Sequence, residues 1–500
     1  MTDTTTKERS GTRTFYIVWF GQLVSLVGTS LSWFGMSIFI FQETGSVTQL
    51  ALVLLAGLVP QLIATPFAGA LVDRWDRRMA MILADLGAGI GTLVLVALYF
   101  TGNLALWNIM IAVAISGFFV AFQWPAYNAA MQVLLPKEQF SRGSGLVQLA
   151  QGLGQMAGVV LAGFVIASVG IGGVFFIDTV TFLFAVATLL MVRFPHPKQT
   201  EAGAAGAGTL WEETKYGFTY LWHRHGLFAL MIYFAAINLA FGFIMPLFVP
   251  LGLSVTGSAE LGTAFAVASI GMLAGSVIAS VWGGFKHRVF GILLTGAVLG
   301  VAMVFVGGRA SIIWITAGIF IGMSMIPIMS ASSQALWLAK VEADLQGRIS
   351  AVRGTVAQAV VPISYILVGP LADNVFEPLM ADNGPLAGSV GQLIGTGDGR
   401  GYALFFVVLG VVVAVMSILA WFYTPLRHVE SDIPDVEIEL IDESEDSEDN
   451  EAETDPVISV DLDEDVSTAK GLPEAAIGIA IEKESGEELD GLAVNKRPVV

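Results

Sequence analysis

Eleven stretches of this chain contain no Asp, Glu, Lys or Arg: 14–42, 44–72, 86–136, 143–177, 179–192, 225–259, 261–285, 289–308, 310–339, 354–372 and 401–426. About 20 apolar residues carry a helix across the hydrocarbon core of a bilayer. Only helices and closed barrels satisfy their backbone there. The stretches are too long and too continuously apolar for the alternating strands of a barrel. Dividing 86–136 at Thr101-Gly102-Asn103, and 143–192 between Gly170 and Gly173, gives twelve spans, because Gly and Asn clusters are where helices break. The first apolar stretch exceeds a signal peptide's core and lacks a small-residue cleavage pattern, so it reads as a retained span.

The positions of positive charge test that count. Basic residues concentrate in cytoplasmic loops. With both termini on that side, 22 of the 24 Lys and Arg fall in the expected segments, and the exceptions are Arg309 and Arg400. The expectation is twelve crossings of a plasma membrane, with both ends cytoplasmic. Negative charge is concentrated at the other end of the chain. From Arg427 to Val500 there are 24 Asp/Glu and 5 Lys/Arg, which leaves residues 1–426 with 18 acidic and 19 basic residues. The chain therefore divides into a cytoplasmic N-terminus (1–13), a six-helix half (14–193), a cytoplasmic linker (194–224), a second six-helix half (225–426) and an acidic tail (427–500) whose composition predicts disorder.

The halves echo one another. Pro136 to Gly143 enters span 5 much as Val341 to Arg348 enters span 11, with Arg142 and Arg348 in equivalent places. Internal repeats of this kind build secondary transporters, with the substrate site at the repeat interface. The loop between spans 2 and 3 reads Gly69-Ala70-Leu71-Val72-Asp73-Arg74-Trp75-Asp76-Arg77-Arg78. It resembles the signature G-x-L-x-D-R-x-x-R-R of the major facilitator superfamily. That resemblance implies an all-α fold of two pseudo-symmetric six-helix halves and a gate on the basic side. In such a gate Gly69 permits close helix approach, Asp73 caps a neighbouring helix N-terminus, and Arg74, Arg77, Arg78, Arg142, Arg348 and Arg353 complete the cluster. The alternative is a loop whose charges only fix topology.

Span 5 places Gly145, Gly154, Gly158 and Gly163 at the glycines of the superfamily's antiporter motif, with Val159 and Ala162 where the motif has Pro and Gly. Close packing survives those changes and the proline kink does not. Phe20 to Ser25, Gln346-Gly347-Arg348 and Gly369 to Met380 resemble the drug:proton antiporter branch that includes macrolide and enterobactin exporters. Two features depart from it. Gly28-Thr29-Ser30 lies where many relatives carry an acid, and span 4 has Gln123, Pro125, Tyr127, Asn128 and Gln132 but no arginine.

Charges within a membrane are costly and usually functional. Asp178 in span 6 and Asp85 in span 3 are the proton-coupling candidates, while Glu43 reads as an interfacial charge. Asp85 could instead pair with Arg77 or Arg78, and Asp178 could be a structural acid bonded to Thr179 or Thr181. Gln22, Gln123, Tyr127, Asn128, Gln151, Gln155, Asn238, Gln334 and Gln358 are candidates for lining a substrate cavity, against the plainer role of bonding helix to helix. There is no HExxH or similar ligand pattern among the five histidines, no cysteine, no Walker A sequence and no basic stripe. Metal, cofactor and nucleic-acid partners are therefore not expected, nor is catalysis. Asp461, Asp463 and Asp465 begin like a calcium loop, but Val466 and Leu472 occupy its Gly and Glu positions. The reading is a proton-driven exporter of amphipathic small molecules in the bilayer. A flippase of the same fold, or a receptor or scaffold acting through a partner of the tail, are the alternatives.

Overall fold

The computed structural model describes residues 2–136, 139–192, 218–342 and 345–435, and at residues 2–10, Gly69, Ala70, Asp73, Arg74, Gln132, Ser141 and Gly347 it describes the helix backbone alone. Most of the linker (194–217) and nearly all of the acidic tail lie outside the described residues, as do the expectations placed on them.

Among the described residues, twelve helices are long and apolar enough to cross a membrane: Gly11–Thr44, Val47–Ala68, Arg77–Phe100, Leu106–Met131, Arg142–Ser168, Ile171–Met191, His225–Leu253, Ser258–Trp282, Arg288–Gly307, Ile312–Lys340, Arg348–Met380 and Arg400–Phe422. They are spans 1 to 12, and no strand occurs among the described residues. The break between spans 3 and 4 turns at Gly102, and that between spans 5 and 6 at Gly170, both with φ near +70 to +80° (69° and 81°). Only glycine adopts that region cheaply. Span 3 starts at a side-chain cap, where Asp76 accepts from the Met79 amide at 2.9 Å, a pairing that satisfies an otherwise orphaned donor.

Packing repeats with a shift of six spans. In the first half span 2 packs on span 4, span 3 on spans 4 and 6, and span 1 on spans 5 and 6. In the second, span 8 packs on 10, span 9 on 10 and 12, and span 7 on 11 and 12. The seam uses span 5 against span 8 and span 11 against span 2, which the same shift interchanges. Both seam contacts sit away from the basic loops, on what is here termed the far side: Gly163 near the end of span 5 meets Ser258 to Gly262, and Gly369 meets Thr48.

Span 11 is longer than its charge-free stretch and runs to Met380. It carries a π-helical turn at Ala372–Phe376. Beyond span 12 the packed body also continues past residue 426. Val429 is buried, Glu430 Oε1 accepts from the Val289 amide at 2.6 Å and so caps span 9, and the buried Lys340 donates to the Glu430 and Ile433 carbonyls. Lys340 also pairs with Asp435 at 2.7 Å. That hydrogen bond and the ammonium charge hold the exposed Asp435 carboxyl below its ordinary range.

Candidate functional site

Span 3 carries its buried acid on a stripe of small residues, Ala84, Asp85, Gly87, Gly89 and Gly91. The glycines admit Phe119 and Ser116 of span 4 and Phe182 of span 6 to close contact. Asp85 is therefore ringed by helices, and two of them supply donors. Gln22 Nε2 of span 1 donates to Oδ2 at 2.7 Å, and Gln123 Nε2 of span 4 donates to Oδ1 at 2.8 Å. Asp85 thus joins three spans, and neither Arg77 nor Arg78 is its partner.

Asp178, 6% exposed, accepts from Thr92 Oγ1 at 2.8 Å, a bond from span 3 to span 6. The hydroxyls of Thr179 and Thr181 go instead to the carbonyls of Phe175 and Asp178. Gly28 provides the room: a Cβ there would lie 2.9 Å from Asp178 Oδ1 and 1.9 Å from Thr181 Oγ1. The point on span 1 that lacks an acid is thus occupied by one reaching over from span 6. Asp85 and Asp178 line one small cavity, whose other polar walls include Ser25, Thr29, Ser32, Thr92, Ser116 and Gln123.

A second, larger cavity lies at the seam and is lined from both halves. Its walls are aromatic and sulfur-rich, with Phe34, Phe241, Phe248, Phe265 and Phe406 beside Met245, Met303 and Met323. Ser30, Gln155 and Tyr365 are among its few polar groups, and no charged residue lines it. Trp33, Ser37 and Leu54 line both cavities and form the partition between them. A large, soft chamber thus lies beside a smaller one that carries two acids.

Residues 18–364 match the Major Facilitator Superfamily. The chain belongs to that superfamily. Macrolide efflux protein A of Streptococcus pyogenes is 28% identical over 374 residues, covering 72% of this chain and 90% of that protein. Multidrug efflux pump Tap of Mycolicibacterium fortuitum is 25% identical, covering 71% and 88%. The fold is shared with a bacterial homologue of the human lysosomal transporter Spinster in an inward-facing, unoccupied conformation (TM-score 0.61, 14% identity, 85% and 98% coverage). It is also shared with the nucleoside transporter NupG (TM-score 0.62, 10% identity, 81% and 99% coverage). The protein is thus a multi-pass transporter of the superfamily, with a small-molecule substrate and the bilayer as its surroundings.

The other expected site residues of this transporter fall in several places. Gln123 and Gln155 line the two cavities, whereas Gln22 is turned onto Asp85. Asn128, Gln151, Gln334 and Gln358 line neither cavity. Asn238 donates to the Phe234 carbonyl of its own helix. The Tyr127 hydroxyl is buried without a partner. In the gate motif, Arg78 donates to the Leu189 and Leu190 carbonyls, both at 2.8 Å, and ties span 3 to the end of span 6. Arg353 lies 4.0 Å over the Trp337 ring, within the second half, and Arg142 and Arg348 are exposed. The side chains of Asp73 and Arg74 lie outside the description.

The far-side contact of spans 2 and 11 was not among the sequence expectations. Asp373 accepts from Ser46 Oγ, the Val47 amide, the Thr48 amide and Thr48 Oγ1 at 2.8 to 3.1 Å. A signal for it exists in the chain: Gly369-x-Leu371-x-Asp373 repeats Gly69-x-Leu71-x-Asp73.

Proposed function

We propose that this transporter is a secondary exporter, moving amphipathic small molecules outward in exchange for protons by alternating access, with the basic side facing the cytoplasm. The observation that carries the reading is the seam cavity, with its aromatic and methionine walls. Methionine and aromatic surfaces adapt to many apolar shapes, as a polyspecific pump requires. Relatives that bear the names of macrolide and multidrug efflux proteins support export. The distribution of Lys and Arg supports the orientation.

Within this reading the coupling proton is carried by Asp178, and Asp85 holds the spans together. The distinction is chemical. On protonation a carboxylate oxygen changes from acceptor to donor. The hydroxyl of Thr92 reverses its own role to match, because a hydroxyl both donates and accepts. The two side-chain amides on Asp85 present N–H groups, which donate only. Protonating Asp85 would set donor against donor until an amide turned over.

The test is uptake of a compound panel into inside-out vesicles, with and without an ionophore. Gradient-sensitive accumulation of at least one apolar or amphipathic compound is expected. Absence of vectorial movement for every compound would sink the exporter reading in favour of a receptor or scaffold.

A further inference from the structure

We infer that Asp373 is a far-side gate residue, which locks span 11 onto the N-terminus of span 2 while the cavity is closed to that side. This rests on the alternating-access reading and adds the residue that controls one of its two gates.

The geometry is that of a clamp between halves. Both oxygens of Asp373 are engaged, Oδ1 by the Val47 amide at 3.1 Å and Oδ2 by Ser46 Oγ, Thr48 Oγ1 and the Thr48 amide. Val47 and Thr48 are the first residues of span 2, so two of its orphaned amides find their acceptor in the opposite half of the molecule. Helix N-termini attract negative charge, and hydrogen bonds to an ionised acceptor are the stronger kind. Gly369, one turn earlier, lets the backbones meet: a Cβ there would lie 2.3 Å from Thr48 Cα.

Span 11 is shaped for this contact. Its π-helical turn begins at Ala372, directly before Asp373, and such turns re-aim side chains at functional sites. One turn further, Glu377 accepts from the Gly399 amide at the start of span 12. The end of span 11 therefore holds span 12 of its own half and span 2 of the other. The bond to span 12 lies within one half, whereas the bonds to span 2 cross the seam and must break for the far side to open. Water replaces them on opening. The clamp thus biases the equilibrium toward the closed state while leaving the open one reachable.

The chain has no cysteine, so labels report without background. Spin labels at Glu43→Cys and Asn383→Cys, both exposed far-side positions, measure the separation of the halves in liposomes. The unsubstituted clamp is expected to give mainly the short distance. Asp373→Asn, which keeps the shape and removes the charge, is expected to raise the long-distance population relative to the short one about tenfold or more. Thr48→Val, which removes one donor and leaves the acid, should raise it less. It carries the test should the Asp373 variants fold poorly. Unchanged distributions in Asp373→Asn and Thr48→Val would overturn the proposal. In a second arm, Ser46→Cys with Asp373→Cys is cross-linked by a mild oxidant. Export is expected to stop and to return on reduction, and undiminished export by fully cross-linked protein would overturn the gate. The distance measurement needs no substrate. A far side that opens in the variants of a protein exporting nothing would therefore sink the exporter reading and leave the clamp standing.

Discussion

Two buried acids share one cavity and differ in their partners, and the roles proposed for them follow that difference. Asp85 accepts amide N–H groups on both oxygens. Replacing it by Leu strands the buried Gln22 amide, at about 1–3 kcal/mol, and takes the acceptor from the half-buried Gln123. Asp85→Leu is therefore expected to lower the thermal midpoint and the yield of folded protein, and Asp85→Asn, which keeps one acceptor but sets its own NH2 group against the other amide, is expected to lower them less. Asp178 has the reversible hydroxyl partner. For a proton carrier, Asp178→Asn should cut gradient-driven export at least tenfold while substrate binding and downhill exchange persist. If Asp178→Asn exports fully, the residue leaves the mechanism and Asp85 becomes the candidate. If binding and folding fall together, its role is structural. Thr92→Val should mimic the loss in part and Thr92→Ser should restore it, because serine keeps the hydroxyl.

At the scale of single helices, span 5 shows how one motif serves two partners. Gly154 and Gly158 lie against Leu26, Val27 and Leu31 of span 1, whereas Gly163 lies against Ser258 and Ala259 of span 8. Gly145 has open space around its Cβ direction. Overpacking a tight contact costs about 1–3 kcal/mol, so Gly163→Leu is expected to destabilise the far-side seam by roughly that amount. Gly145→Leu should stay within about 0.5 kcal/mol of the parent. Thermal unfolding in one detergent compares them, and equal midpoints would refute the assignment of Gly163 to the seam. The glycine spacing was legible in the sequence because small residues at helical intervals have few other uses in lipid. Their partners were not. The same limit applies to Asp85, whose donors lie 63 and 38 residues away. The breaks at Gly102 and Gly170 were legible because left-handed turns call for glycine. The partners of Asp373 were not legible either, because an acid after an apolar run reads as a solvated loop residue until span 2 is seen against it.

For the molecule as a whole, the charge map makes two claims that are tested separately. The first is sidedness. Reporter fusions at Gly45, Thr101 and Asn383 are expected outside and fusions at Trp75 and Ala207 inside, and one reversed pair refutes the orientation. The second concerns where the packed body stops. Lys340 is 5% exposed, and its ammonium is satisfied by the carbonyls of Glu430 and Ile433 and by Asp435. Glu430 at the same time caps span 9. A chain ending at Val436 keeps all of these contacts and is expected to match the full chain in thermal midpoint and export. A chain ending at Tyr423 removes the acceptors of Lys340 and the cap of span 9, and is expected to unfold at a lower temperature than the chain ending at Val436. The Asp435 contact adds a small pH dependence of known sign. Its carboxyl is held below the ordinary range, so its contribution is present above the unfolded carboxyl's pKa and fades as pH falls through the lowered one. The carbonyl bonds of Lys340 do not titrate there, so acid alone should not release the segment. Limited proteolysis across 424–435 at neutral and acid pH reads this directly. Protection that vanishes at acid pH would place the docking on Asp435, and equal midpoints for the two truncated chains would show that the packed body ends with span 12.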